Sequence, residues 1–253
     1  MKLKPPYSGL ILPAWIPATL GEEIDAYRRE RRILPTRICM RSNIAAPSRR
    51  LFLGAIAPVL AAVALGPAVA SIAVVGDSLA AGCPFRTLSC RPFEVINLAK
   101  GGARLADIAG QLERAQRNRA RRFIIDGGLN DLLGAAAPIR DIERDFRGVL
   151  QVLDPGAAAI FTLMPYIAQR EVAPLIDAAN AMMAELCRER GIEVLDLNPH
   201  VSLNGVRRAE MSDDGVHFTP RANAVWIAAL REKLSDQLFL DSGRLAKILL
   251  APS

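Results

Sequence analysis

Histidine is scarce in this 253-residue chain: His200 and His217 are the only two. The four cysteines, Cys39, Cys83, Cys90 and Cys187, include no Cys-x-x-Cys pair. Zinc sites draw on clustered thiolates and imidazoles, so a metal centre lacks its ligands, and neither a metal nor a cofactor is expected. No Gly-x-Gly-x-x-Gly opens a helix after the first apolar strand, which leaves a dinucleotide fold unsupported. Aromatics make up only 5% of the chain, too few to stack bases along a basic stripe. The net charge of +6 sits entirely in residues 1–70, where ten Lys and Arg face four Asp and Glu, whereas residues 71–253 hold 22 of each sign. A nucleic-acid partner is therefore not expected. The run Arg114 to Arg122, with five arginines in nine residues, reads as a solvated helix face. Repeats and low-complexity tracts are absent.

The twenty uncharged residues from Leu51 to Ala70 stand apart from the rest. They follow Ser48-Arg49-Arg50-Leu51-Phe52-Leu53, which resembles the twin-arginine export motif. A basic region, an apolar region and the small-residue ending Ala68-Val69-Ala70 are the three parts of a cleavable signal peptide. Cleavage after Ala70 would make Ser71 the new terminus. The alternative is an uncleaved membrane anchor, for which the length suffices, although two prolines and two glycines lower its helical quality. Met40 would start a signal peptide of ordinary length. Residues 1–39, proline-rich and then charged from Glu22 to Arg32, read as an upstream extension with translation beginning at Met40. The division expected is thus 1–39, a leader over 40–70, and one catalytic domain over 71–253.

From Ser71 onward short apolar runs alternate with helical spacing. Strands are expected at Ile72 to Val75, Val95 to Leu98, Phe123 to Ile125, Ala159 to Leu163 and Ile192 to Leu197. Between them Leu105, Ile108, Leu112 and Ala115, then Ile142, Phe146, Val149 and Leu153, then Leu175, Ala179, Met182 and Leu186 recur at three and four. A last helix starts near Pro220 and carries Trp226, Leu230 and Leu234 inward. This βα alternation predicts an α/β fold with a parallel sheet covered on both faces.

A serine on the turn leaving a buried strand points into the crevice at the strand's carboxyl end. Gly76-Asp77-Ser78-Leu79 puts Ser78 there. A serine hydroxyl needs a base to take its proton and a carboxylate to hold that base in one tautomer. Asp214-Gly215-Val216-His217 supplies both, three residues apart. Asp213 competes with Asp214, and the spacing favours Asp214. His200 follows Asn198-Pro199 with no acid beside it and is expected to be a loop histidine. Asp77 and Asp131 are expected to bond backbone groups of their own turns.

Four segments, Gly76-Asp77-Ser78-Leu79, Asn97-Leu98-Ala99-Lys100-Gly101-Gly102, Gly128-Leu129-Asn130-Asp131 and Asp214-Gly215-Val216-His217, occur in order. Together they resemble the blocks of the SGNH, or GDSL, hydrolase family of esterases and lipases. The resemblance implies a flavodoxin-like three-layer sandwich with a five-stranded parallel sheet. It implies Ser78 as nucleophile, His217 as base and Asp214 as its orienting partner. An oxyanion hole would be formed by Ser78 N–H, Gly102 N–H and the Asn130 amide. Ala99 and Gly101 depart from the family's usual glycine and serine.

The activity implied is hydrolysis of carboxylic esters by an exported, periplasmic or secreted, monomeric enzyme. Its substrate would be a small molecule or a glycan or lipid ester, with the membrane touched only through the leader if that is uncleaved. Leu79, Leu129, Leu132, Leu133 and Tyr166 are expected to suit a small to medium acyl group. Two other readings stand: an O-acetyl esterase of cell-envelope polysaccharide, and a noncatalytic envelope binding protein on the same fold. For Cys83 and Cys90 a disulfide in the exported domain and two unpaired surface thiols are both open.

Overall fold

The computed structural model describes residues 70–89 and 93–249. The expected leader, the upstream extension and Cys90 lie outside them.

Strand β1 (Ala70–Val75) is flanked by β2 (Phe93–Asn97) and β3 (Arg122–Ile125), followed outward by β4 (Ala158–Thr162) and β5 (Glu193–Leu195). All four pairings are parallel, in the order β2-β1-β3-β4-β5. A parallel sheet covered on both faces needs strands that are apolar throughout, and Ile72, Ala73, Val74 and Val75 are at most 4% exposed. The expected α/β fold is the one observed. Its strand order means that the chain leaves β1 for one side of the sheet and returns on the other. That switch between β1 and β3 opens a crevice at their carboxyl ends.

The helices are α1 (Ser78–Gly82), α2 (Leu105–Arg117), α3 (Ile139–Val152), α4 (Ala173–Glu189), α5 (Asn198–Val201) and α6 (Pro220–Leu249). The spacing of three and four makes α2 and α3 amphipathic. Leu105, Ile108 and Leu112 of α2 are buried, as are Ile142, Phe146 and Val149 of α3, and α2 packs on α3 and α3 on α4. Phe146 meets Phe161 of β4 with ring centroids 4.7 Å apart. α3 stops at Val152, one residue before Leu153, which is extended.

The expected strand boundaries shift by one or two residues, and two of the shifts have a visible cause. β2 starts earlier than Val95 and ends at Asn97, whose side chain turns the chain by accepting from Ala99 N–H at 3.0 Å. β5 ends at Leu195 because the Asp196 carboxylate accepts from Asn198 N–H at 2.9 Å and starts α5. His200 accordingly lies in that short helix, exposed, and not in a loop.

A hairpin of β6 (Ser202–Leu203) and β7 (Val206–Arg207) was not among the expected elements. Its turn is Asn204-Gly205, with φ of 51° and 76°. Asn-Gly between two strands is the strongest short-range hairpin signal a sequence carries.

Trp226 anchors α6. It is fully buried, packs edge-on against Phe85 and Phe218 with centroids 4.9 and 5.7 Å away, and donates its indole N–H to Thr162 Oγ1 of β4 at 3.1 Å. Trp226→Ala removes the largest buried side chain together with the donor to a buried hydroxyl. It should cost about 3–5 kcal/mol, read as a lower denaturant midpoint at unchanged slope by circular dichroism.

Candidate active site

Ser78 is the first residue of α1, and Asp77 is its N-cap: Asp77 Oδ1 accepts from Leu79 N–H at 2.9 Å. Gly76 is forced by contact. A Cβ there would meet Ala80 Cβ at 2.9 Å and both Asp126 Cβ and Asp126 O at 3.1 Å, so a larger residue would push β1 off β3. Gln111 of α2 holds the same turn, accepting from Gly76 N–H at 2.7 Å and donating to Gly76 O at 3.0 Å. Asn97 ties β2 to α1 by donating to Ala80 O at 2.9 Å. Ser78 is half-buried on this clamped turn.

The second half of the site comes from the segment between the hairpin and α6. Asp214 Oδ1 accepts from Val216 N–H at 2.9 Å and His217 N–H at 2.7 Å, and Ser212 Oγ approaches it at 3.3 Å. Its other oxygen lies 2.7 Å from His217 Nδ1. His217 Nε2 lies 2.9 Å from Ser78 Oγ. Burial raises the carboxyl of Asp214, but the His217 ring and the two backbone donors outweigh it and hold it at about 2. An anionic Asp214 favours the tautomer with its proton on Nδ1, leaving the Nε2 lone pair facing the serine hydroxyl. Asp213 is exposed and the Asp214 side chain makes the contact.

The Asp214 turn has its own requirements. Gly215 has φ of +84°, and a Cβ on it would run into Ala168 Cβ at 2.7 Å. Ala168 N–H donates to Gly215 O at 2.9 Å. Arg207 of β7 is buried and fastens the segment, donating from Nε to Tyr166 O at 2.8 Å and from Nη1 to Val216 O at 3.3 Å while lying 4.4 Å over the Phe218 ring. Burial lowers its guanidinium to about 10, against the pull of Asp214. Gln111 and Arg207 escaped the sequence reading. Gln111 sits inside an apolar helix stripe and Arg207 follows an Asn-Gly turn, and both positions are readable signals of a polar side chain taken inward.

Asn130 opens a π-helical turn, Asn130–Gly134, and π turns recur at functional sites. Its Nδ2 donates to Ala103 O at 3.0 Å and reaches Asp77 Oδ2 at 3.4 Å, so the amide expected to serve the oxyanion already has partners. Asp131 does not bond within its own turn alone: Oδ2 accepts from Leu105 N–H at 3.1 Å and caps α2. Burial pushes its carboxyl up to about 6. Gly102 is exposed beyond β2, and a Cβ on Gly101 would lie 3.9 Å from Ser78 Cβ.

The expected acyl lining is corrected. Leu79, Leu129, Leu132 and Leu133 are core residues at most 7% exposed, because the apolar side of each turn faces the sheet. Tyr166 is half-buried, with its hydroxyl bonded to Asp177. Cys83 is a free thiol buried in the core, not a surface group, and Cys187 is likewise free and buried. A cavity of about 460 Å³ lies at the hairpin, against Leu203, Val206 and Arg207 to Glu210. Among the described residues no cluster of three or more His, Cys, Asp or Glu could hold a metal ion, and no helix is long and apolar enough to cross a membrane.

The fold and this constellation define a three-layer α/β protein carrying a Ser-His-Asp chain at its topological switch point. Residues 74–225 match the model of the GDSL-like lipase/acylhydrolase family, and the chain belongs to that family. Membership carries hydrolase and esterase chemistry in general. A GDSL-like lipase from Bacteroides thetaiotaomicron shares the fold with TM-score 0.58 at 15% identity, over 66% of this chain and 88% of that one. A carbohydrate esterase family 3 structure from Talaromyces cellulolyticus gives TM-score 0.56 at 16% identity, over 68% and 99%. An N-acylneuraminate cytidylyltransferase from Streptococcus agalactiae serotype III is 27% identical over 157 residues, 61% of this chain. The chain spans about a third, 36%, of that relative's length.

The Asp214 contacts predict a pH dependence. Because the folded carboxyl is held at about 2 against an ordinary 3.8, its contribution is fully present above the unfolded value and is lost as pH falls through the folded one. In this partly exposed setting it amounts to about 1 kcal/mol or less. Denaturant midpoints of wild type and Asp214→Asn should differ at pH about 6 and draw together towards pH about 2.

Proposed function

We propose that the chain is an exported serine esterase that cleaves carboxylic esters through an acyl-enzyme. The observation that carries this reading is the continuous hydrogen-bonded line from Ser78 Oγ through His217 to Asp214, with contacts of 2.9 and 2.7 Å. Ser78 Oγ bonds to the ester carbonyl carbon while its proton passes to His217 Nε2. The tetrahedral oxyanion takes hydrogen bonds from Ser78 N–H, Gly102 N–H and the Asn130 amide. Collapse breaks the bond to the alcohol, which leaves with the proton held by His217. Water then gives a proton to His217, attacks the acyl carbon and releases Ser78 with the proton returned. To serve the oxyanion, the Asn130 amide trades its long contact with Asp77 for the substrate.

A short acyl group on a large polar alcohol suits this site best, which brings forward the O-acetyl esterase of envelope polysaccharide. Burial of Leu79, Leu129, Leu132 and Leu133 leaves them unable to line a channel for a long chain. The flanking Gly101, Gly102 and Asp214 are exposed, so a bulky glycan meets no wall from them. The sugar-directed names of the Talaromyces and Streptococcus relatives support this direction.

Ser78→Ala or His217→Ala should each abolish hydrolysis of a nitrophenyl ester and, for Ser78→Ala, labelling by a fluorophosphonate probe. The two act as a unit, so the double variant loses no more than either alone. Asn130→Ala should cost on the order of 10² to 10³ in kcat with KM nearly unchanged. His200→Ala should keep most activity. An acetyl ester should be cleaved faster than longer acyl esters. An unlabelled wild-type protein would instead favour the noncatalytic envelope binding protein.

Export rests on the leader. Mature protein from the envelope should begin at Ser71, inside β1 and one residue past its first pairing, Ala70 with Phe93. Changing Arg49 and Arg50 to Lys should leave precursor in the cytoplasm. An intact mass that retains Leu51 to Ala70 would mean an anchor and not a cleaved signal.

A further inference from the structure

Two carboxyls meet beneath the nucleophile turn. Asp77 follows β1 and Asp126 follows β3, and the register Val75 with Ile125 sets these two strand ends side by side. Asp126 N–H donates to Val75 O at 3.1 Å. Asp77 is 1% exposed and Asp126 is 2% exposed. Asp77 accepts from Leu79 N–H on Oδ1 and faces the Asn130 amide with Oδ2, which leaves lone pairs on both oxygens. The N–H groups of Ala80 and Gly127 favour the Asp126 carboxylate, yet its Oδ2 is buried with no donor.

Two ionised carboxylates side by side in a dry interior repel one another and forgo their hydration, so such a pair keeps one proton. An O–H···O⁻ bond is among the strongest a protein makes. A proton between the two groups gives the orphaned oxygen its role as donor and removes one charge. We propose that Asp126 is protonated at neutral pH and hydrogen-bonds Asp77, making Asp126 a positioning residue for Ser78 and Asn130. This inference rests on the catalytic reading of those two residues.

The direction of titration agrees. Burial first, then the charge and hydrogen bond of Asp77, raise Asp126 well above the ordinary carboxyl range. Asp77 is raised by burial, with relief from Leu79 N–H, Asp126 and His217. The other titratable groups facing the pair are His217, from the segment before α6, and the Cys83 thiol after α1, which burial and the charge of Asp126 push up to about 12. With the proton in place, Asp77 holds the α1 N-cap without relying on Asn130. The Asn130 amide is then released to an oxyanion at little loss to Asp77. When the proton is lost at alkaline pH, Asp77 must compete for that amide and the turn carries two buried charges. The native pair holds a proton that the unfolded chain has already given up above about 3.8, so stability falls as pH rises.

The test uses the full chain with Asp126→Asn and Asp126→Ala. Infrared spectra of the wild type in D₂O at neutral pH should contain the carbonyl stretch of a protonated carboxylic acid, missing in Asp126→Asn. Asn offers an amide donor to Asp77 that does not titrate. Asp126→Asn should therefore retain kcat within a few-fold, lose the alkaline decline of the pH profile and gain thermal stability over wild type by an increment that grows with pH. Asp126→Ala should lose about 10²-fold in kcat, as for a misplaced catalytic group, with KM little changed. A wild-type spectrum without the acid band, or an Asp126→Asn variant as impaired as Asp126→Ala, would overturn the proposal. The two readings fail separately: an acid band alongside an active Ser78→Ala enzyme removes the catalytic reading, whereas a missing band alongside a dead Ser78→Ala removes this one.

Discussion

The parallel pairing of β1 with β3 is the interaction on which the site depends. It sets Val75 beside Ile125, and from those two strand ends the chain places Asp77 and Ser78 on one side and Asp126 and Asn130 on the other. Three close contacts at the turn follow from that juxtaposition: the missing Cβ of Gly76, the reach of Asn130 to Asp77, and the approach of the two carboxyls. Parallel strands cannot be adjacent in sequence without a crossover. The site is therefore assembled only when α2 and the rest of the crossover have packed.

The remaining half of the constellation is local. Asp214 and His217 find each other through a four-residue turn held by hydrogen bonds of the aspartate to backbone N–H groups one and two residues beyond Gly215. That turn is docked, not floating, because Arg207, Phe218 and Ala168 fix it to the hairpin and to the segment after β4. The design separates tasks. Local geometry sets the tautomer of the imidazole, and tertiary contacts set its distance from the serine.

Buried polar groups do much of this positioning. Gln111 and Asn180 each satisfy backbone groups just past the ends of strands, Asn180 by clasping both the N–H and the C=O of Met164. Backbone groups leaving a sheet lose their ladder partners and cannot remain unpaired in a core. An amide side chain offers a donor and an acceptor without a charge, which suits the rim of a crevice where any extra charge would alter the chemistry.

By itself the sequence determined the alternation of strands and helices, since periodicity of apolar residues acts within a window of one element. It also determined the local pair Asp214 and His217, because three residues of one turn cannot be far apart. What only tertiary structure decided concerns the inward side of each motif. Leu79, Leu129, Leu132 and Leu133 stand next to site residues in sequence, but the pleat and the turns send them into the core. Asn130 read as an oxyanion donor and Asp131 as a residue bonding its own turn, whereas one reaches Asp77 and the other caps α2. Asp126 carried no signal beyond an acid at the end of an apolar strand. Its neighbour is 49 positions away in the chain, and only the β1–β3 register brings the two carboxyls together.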